Sequence, residues 1–510
     1  MRLYQRCLVG LVLTGVVSAV TPVSPAVAEG PTITGGGSSF AALEIDQWRA
    51  DVARRPFNLK INYQSLGSTF GRTQYLAGTL DFGASDIPFQ RSDVVQGPRA
   101  NFAYVPVSAG GIGFMYNLQD SSGRKVTDLK LTRRAVCRMF TEDVMKWNDP
   151  DIVAHNPRLA GVNRDIKPIV RQDGSGTSYV FSQYCIGVAK GVWDAFVRAQ
   201  TLTNPGLPPE FKNGEPTSLW PGGGRRSAGL AADGVANAVA DPVNGKDAIT
   251  YNEAGFAKER GFPNASVQNA SGRFTAPEEE AVTVALGYAS PNRVGGNEDG
   301  TFALNYSGPD PRAYFPSTYS YVIAQTAGFP ADKGQVLARF LCYAVTKGQE
   351  IAPRLEYARL SSVLVELALR QIAKIPGFPG EQNCAVAGAA PPPPPPELTD
   401  GGGGADGPDG AGGGGADGAG SGPGGESGAG GAGGDGVAGS EAGADDAACA
   451  TTTTQPPATT GDPPSSSTST TAVPDPTTPT TLATTEADAC VAGENGEDGG
   501  GSGETALDTA

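Results

Sequence analysis

Apolar residues recur along this chain with two different periods, one typical of strands and the other typical of helices. The strand period is found at Leu59, Ile61 and Tyr63, at Leu80 and Phe82, and in the short apolar run 166–170. The helix period is found at Ala41, Ile45, Trp48 and Val52, and again at Leu131, Ala135, Val136, Met139 and Phe140 before Asp149-Pro150. Strands that alternate with helices predict an α/β fold with open, mostly parallel sheets. Residues 29–388 exceed what one core comfortably fills, which favours two lobes.

The start of the chain is typical of a secretory signal peptide. Arg2 and Arg6 precede an apolar run from Leu8 to Val20, and small residues follow up to Ala28. We therefore predict a signal peptide over residues 1–28, cleaved near Ala28. A membrane anchor is the alternative, but 13 residues are too few to span the roughly 30 Å of hydrocarbon. Because no lipid-modification signal and no later apolar span follow, we expect a secreted, cell-surface or periplasmic protein.

The last part of the chain, residues 389–510, differs in composition from the rest. Beyond Ala390 there is no Lys or Arg, yet this stretch holds 30 of the 72 glycines and 19 of the 53 acidic residues. Pro391 to Pro396 are followed by a Gly/Ala/Asp block and a Thr/Pro/Ser block. Such a composition predicts a disordered tail, either a wall-spanning spacer or an inert solvated extension.

Charge and histidine content exclude some function classes. The net charge of −15 belongs to the tail, since the remainder has 34 acidic against 38 basic residues. A nearly neutral body disfavours a nucleic-acid-binding protein. Because His155 is the single histidine, a zinc or multi-histidine enzyme is disfavoured too. We expect no metal and no cofactor.

Six cysteines follow the predicted signal peptide in three consecutive groups of two. An even number of cysteines in an exported chain suggests disulfides. We predict pairing within each group, with buried free thiols as the alternative. The six residues are Cys137, Cys185, Cys342, Cys384, Cys449 and Cys490.

Three clusters of Gly, Ser and Thr each follow a predicted strand and open a predicted helix. They lie at residues 35–40, 67–69 and 171–177. Ligands of open α/β sheets collect at the carboxyl ends of strands, and helix N-termini favour anions. The alternative is that these residues only cap helices and that Arg171 and Asp173 form a structural ion pair. Asp86 follows another strand end, where a carboxylate suits an anion that carries a proton, as hydrogen phosphate does and sulfate does not.

These segments, together with 146–150, resemble the phosphate-binding protein of the phosphate-specific ABC transporter over most of residues 31–375. The resemblance implies a two-lobed, type II periplasmic-binding-protein (Venus flytrap) fold that closes on its ligand. One lobe would comprise residues 29–106 with 317–388, and the other residues 107–316. The strands that cross between the lobes would lie near 105–111 and 319–324.

The resemblance also implies a function and a set of ligand contacts. The protein would capture inorganic phosphate outside the cytoplasm and deliver it to an ABC permease, as a monomer and without catalysis. Asp173 would hold Arg171 in place. The residues that match the family's phosphate contacts are Ser39, Phe40 (through its backbone), Ser68, Asp86, Arg171, Ser175, Gly176 and Thr177.

Three alternatives stay open at this point. A phosphoester hydrolase needs a nucleophile and a base, but Ser175 is not in a G-x-S-x-G elbow, and His155 follows a predicted helix as a surface residue. A surface-displayed adhesion protein could keep this fold without transport, which the long tail favours. The same fold could also bind another oxyanion, which Asp86 disfavours.

Overall fold

The computed structural model of the chain describes residues 30–93, 95–141, 146–294, 297–380 and 384. The predicted signal peptide and the whole of the predicted tail, with Cys449 and Cys490, lie outside the described residues. Within those ranges, no helix has both the length and the apolar character needed to cross a bilayer.

The described residues form fourteen strands. In chain order they are β1 (Thr32–Gly37), β2 (Lys60–Gln64), β3 (Phe82–Ser85), β4 (Phe102–Tyr116), β5 (Lys130–Leu131), β6 (Lys167–Arg171), β7 (Ser227–Gly229), β8 (Ala248–Glu253), β9 (Ser266–Gln268), β10 (Phe274–Thr275), β11 (Ser290–Val294), β12 (Asn297–Ala303), β13 (Ser317–Gln325) and β14 (Tyr357–Ala358).

Twelve α-helices are found in the same residues, with three 3-10 helices at Gly97–Ala100, Pro157–Leu159 and Lys347–Leu355. The α-helices are α1 (Ala42–Val52), α2 (Ser68–Leu76), α3 (Arg133–Thr141), α4 (Pro150–Val153), α5 (Gly176–Val188), α6 (Lys190–Thr203), α7 (Pro209–Lys212), α8 (Ala231–Ala240), α9 (Gly255–Glu259), α10 (Glu279–Leu286), α11 (Ala331–Val345) and α12 (Ser362–Ile372).

The apolar periodicity identifies correctly the three strands and the two helices predicted from it. Strands β2, β3 and β6 and helices α1 and α3 overlap the predicted segments, each starting one to two residues later than the apolar pattern indicates. In α1 the periodic side chains are buried, and Trp48 donates its indole N–H to the Gly348 carbonyl at 2.9 Å. A buried indole needs such a partner, because leaving its N–H unpaired away from water is costly.

One mixed sheet runs through the described residues in the order β2-β1-β3-β13-β4-β8-β6-β7, with β14 added to β4. The strands within each end of the sheet are parallel. At one end β1 pairs with β2 and β3, and at the other β6 pairs with β7 and β8. The centre is antiparallel, because β13 runs against both β3 and β4, and β4 runs against β8. The α/β prediction is confirmed, whereas a mostly parallel sheet describes only its ends.

Strand β4 joins the two ends of this sheet. Its first part pairs with β13, and its last part, Ile112–Tyr116, pairs with β8. All but the first of its 15 residues are buried, as expected of an apolar strand covered on both faces. The register shifts opposite Ser320, where Val107 is the extra residue of a bulge. The predicted crossing strands correspond to β4 and β13, while the division into lobes stays a prediction.

Two disulfides are found in the described residues. Cys137 of α3 pairs with Cys185 of α5, and Cys342 of α11 pairs with Cys384. The predicted pairing within groups is therefore confirmed for these four cysteines.

Candidate functional site

The N-terminal ends of four helices meet at one point beside the sheet. The amide of Thr69 in α2 donates to the carbonyl of Gly174, just before α5, at 2.9 Å. The amide of Ala232 in α8 donates to the hydroxyl of Ser39, just before α1, at 3.1 Å. Each helix N-terminus presents unpaired N–H groups and a partial positive charge, so their convergence favours an anion.

Arg171 brings a full positive charge to this point. It is the last residue of β6, and its guanidinium is almost completely buried. Two of its nitrogens donate to the Asp173 carboxylate at 2.9 and 2.6 Å, and Nη2 also donates to Ser39 Oγ at 2.7 Å. This bidentate pair fixes the plane of the guanidinium. Asp173 in turn accepts from the amide of Ala231 at 2.8 Å, which ties it to α8.

Asp86 brings a carboxylate to the same cluster, directly after β3. It is 4% exposed and accepts hydrogen bonds from three hydroxyl groups. Ser38 and Ser320 donate to Oδ1, the latter at 2.6 Å, and Ser68 donates to Oδ2 at 3.1 Å. Burial raises the pKa of Asp86, while the hydrogen bonds from Ser320 and Ser38, the charge of Arg171 and the hydrogen bond from Ser68 oppose that rise.

The start of α5 comes very close to Asp86. A Cβ atom added to Gly176 would lie 2.6 Å from Asp86 Oδ2 and 2.8 Å from Asp86 Cβ. Glycine is therefore required here for close approach rather than for an unusual backbone conformation. Thr177 is fully buried, and its hydroxyl lies 3.5 Å from Arg171 Nη1.

Two predicted contact residues have side chains with structural roles. Ser175 caps α5, since its hydroxyl accepts from the amide of Ser178 at 3.1 Å. The ring of Phe40 packs edge-on against Tyr357, with centroids 6.1 Å apart, so only its backbone is available to a ligand. His155, by contrast, is exposed, and its ring contacts Phe274 rather than any residue of the cluster.

The structure thus brings all the predicted site residues into one buried cluster and adds four that sequence reasoning missed. The additions are Ser38, Ser320, Ala231 and Ala232. Ser38 was detectable as the neighbour of Ser39 in the first cluster. The two alanines contribute only backbone N–H groups, which carry no side-chain signal.

The comparisons with known proteins agree with this geometry. Residues 19–344 match the model of the PBP superfamily domain, which sets the class of the fold. The phosphate-binding protein PstS of Xylella fastidiosa strain 9a5c is 34% identical over 273 residues, which cover 53% of this chain and 67% of that one. PstS of Haemophilus influenzae is 34% identical over 265 residues, covering 51% and 70%. The chain belongs to the PstS family of this superfamily.

Solved structures support the fold alone, because their sequence identity is low. A DING protein superposes with a TM-score of 0.50 at 16% identity, covering 66% of this chain and 92% of that one. A human phosphate binding apolipoprotein superposes with the same TM-score at 15% identity, again covering 66% and 92%.

Proposed function

We propose that this protein captures inorganic phosphate outside the cytoplasm and delivers it to an ABC permease. The observation that carries the proposal is the pairing of one fixed cation with one buried acceptor. Arg171 and the start of α5 offer donors to an anion, the partial positive charges of four helix N-termini favour it, and Asp86 offers a place for a proton that the anion carries. The relatives named phosphate-binding protein support this ligand.

The number of donors accounts for tight binding. Ser39, Ser68, Arg171 and the amides at the start of α5 would surround a phosphate from which water is excluded. Hydrogen bonds that involve a charged group contribute about 1.5–3 kcal/mol each. A handful of them supplies a favourable term of the same order as the cost of association, or larger. We expect micromolar or tighter affinity for phosphate.

Asp86 accounts for selectivity. HPO₄²⁻ and H₂PO₄⁻ can each donate a proton to its carboxylate, whereas sulfate has none to donate at neutral pH. Sulfate would leave two negatively charged oxygens in contact in a buried site. A site built around a hydrogen bond rejects a ligand that lacks it by roughly 10⁴–10⁵.

Closure of two lobes would assemble the site. The proposed lobes are residues 29–106 with 317–388, and residues 107–316, joined by β4 and β13. The hydrogen bonds Thr69–Gly174 and Ala232–Ser39 each connect one of these lobes to the other. Opening by hinge motion would break them and admit the ligand. We further propose export by the signal peptide, action as a monomer and no catalysis.

Titration calorimetry of the secreted chain with phosphate and with sulfate tests the proposal, after any bound phosphate is removed. We expect micromolar or tighter phosphate binding and no heat from sulfate. Asp86→Asn should weaken phosphate binding and admit sulfate, because an amide can donate to a fully deprotonated oxygen. A folded sample that releases no heat with either anion would overturn the proposal and favour a surface-interaction protein instead.

A further inference from the structure

Two buried serines saturate one oxygen of the Asp86 carboxylate. Ser38 and Ser320 are both fully buried, and both donate to Oδ1. Neither is among the residues that the family resemblance assigns to the ligand. They come from distant parts of the chain, since Ser38 follows β1 and Ser320 lies in β13.

The remaining acceptor capacity of the carboxylate points to the ligand. A carboxylate has about four lone-pair positions, and three hydroxyl groups occupy three of them. Because Ser38 and Ser320 share Oδ1 and Ser68 uses one position of Oδ2, the free position is on Oδ2. A second position on Oδ2 would become free when the Ser68 hydroxyl donates to the ligand instead, since it has only one proton. Oδ2 is also the carboxylate oxygen that approaches Gly176 at the N-terminus of α5.

The sheet explains how Ser320 reaches Asp86. Strand β13 lies between β3 and β4, and Tyr321 is in register with Ser85, the residue before Asp86. The bulge at Val107 shifts the register between β13 and β4 at Ser320. Bulges re-aim side chains and are frequent beside functional sites. Ser320 is thus placed by the strand that crosses between the proposed lobes.

We propose that Ser38 and Ser320 are positioning residues that keep Asp86 ionised and direct its free lone pair on Oδ2 toward the ligand's proton. Together they set how far the pH can fall before sulfate is no longer rejected. This inference rests on the proposed function. A neutral Asp86 would donate a hydrogen bond instead of accepting one, and sulfate could then bind.

The other charged and titratable groups around Asp86 do not take over the role of Ser38 and Ser320 in keeping it ionised. Arg171 of β6 favours the ionised carboxylate by its charge, but it is already paired with Asp173. Tyr63 of β2, Tyr321 of β13 and Tyr357 of β14 lie within electrostatic range of the carboxylate, and burial raises the pKa of each well above its ordinary value. These tyrosines therefore stay neutral at every pH up to at least 8.

The test measures phosphate and sulfate affinity by calorimetry from about pH 5 to pH 8, a range chosen above the ordinary pKa of Asp because burial raises the pKa of Asp86. The variants are Ser38→Ala, Ser320→Ala and the double variant. Ser317→Ala is the matched control, because Ser317 is buried in the same strand but donates to the Tyr314 carbonyl. Ser320→Thr restores the hydroxyl, and thermal melting shows which variants are folded.

In the wild type, sulfate binding should emerge only toward the acidic end of this range. Each Ala variant should bind sulfate at higher pH, with the phosphate-to-sulfate affinity ratio at one acidic pH reduced about tenfold per lost hydroxyl. Ser317→Ala and Ser320→Thr should retain the wild-type profile. Identical profiles for folded wild type and Ala variants would overturn the inference while leaving phosphate binding intact. Absence of phosphate binding in the wild type would overturn the proposed function, and the inference with it.

Discussion

The approach of Gly176 to Asp86 makes one substitution especially informative. In Gly176→Ala, the added Cβ would lie 2.8 Å from Asp86 Cβ. Two carbon atoms repel each other below about 3.5 Å, so the start of α5 and Asp86 must separate by about 0.7 Å. The Thr69–Gly174 hydrogen bond, now 2.9 Å, would lengthen beyond hydrogen-bonding range if the lobes moved apart by that amount.

The same separation would weaken phosphate binding, because the ligand's hydrogen bonds come from both sides of the cluster. Loss of a single charge-assisted hydrogen bond of about 1.5–3 kcal/mol lowers affinity roughly 10- to 100-fold. Calorimetry with phosphate measures this effect directly. Folding should not suffer, because alanine forms helices more readily than glycine at the start of α5.

Gly191→Ala provides the matched control. Gly191 also lies in the first turn of a helix, α6, but it is exposed and a Cβ there would contact nothing within 4 Å. This variant should bind phosphate as the wild type does and melt at the same or a slightly higher temperature. Wild-type affinity in folded Gly176→Ala would refute the reasoning, since the added methyl group would then fit without separating the two sides.

Three further outcomes follow from the described contacts. Asp173→Asn removes the negative charge and one of the two oxygens that orient Arg171, and should weaken phosphate binding about tenfold in calorimetry; an unchanged Kd would contradict that role. Burial raises the pKa of Glu44 from 4.5 to about 8, so between these values the folded state keeps a proton that the unfolded state has lost. Stability should therefore decline as the pH rises through this window, less steeply in Glu44→Gln, and parallel curves of Tm against pH would disprove the assignment. Replacing Cys137 and Cys185 by Ser opens a loop with a sequence separation of 48 and should lower the free energy of unfolding by about 4 kcal/mol in denaturant titrations; equal midpoints would show that the disulfide contributes little.

Local signals explain what the sequence predicts well. The apolar spacing of α1 and β2 depends on neighbouring residues alone, and so do the clusters of Gly, Ser and Thr that open α2 and α5. Asp173 and Arg171 are two positions apart, so their pairing is a local event as well. Resemblance to a family adds the long-range fact that these clusters meet.

The site residues that the sequence did not predict are brought to the site by long-range contacts, which no local sequence pattern encodes. Ser320 lies in a strand whose residues are all buried, so polar–apolar alternation does not distinguish it, and its partner is 234 positions away. Ala231 adopts φ 58°, a region that alanine rarely occupies, and directs its amide to Asp173. The choice between Ser38 and Ser39 depends on how β1 ends, because one serine contacts Asp86 and the other Arg171.

The disulfide at the end of the described residues has a mechanical consequence. Cys384 is buried and bonded to Cys342 in α11, and the loop between them contains α12. The chain continues beyond Cys384 for more than a hundred residues. Any tension on that continuation passes through the disulfide directly into α11. The segment between the two cysteines, which contains α12, is bypassed by the load, so pulling on the tail cannot extend this segment while the covalent bond is intact.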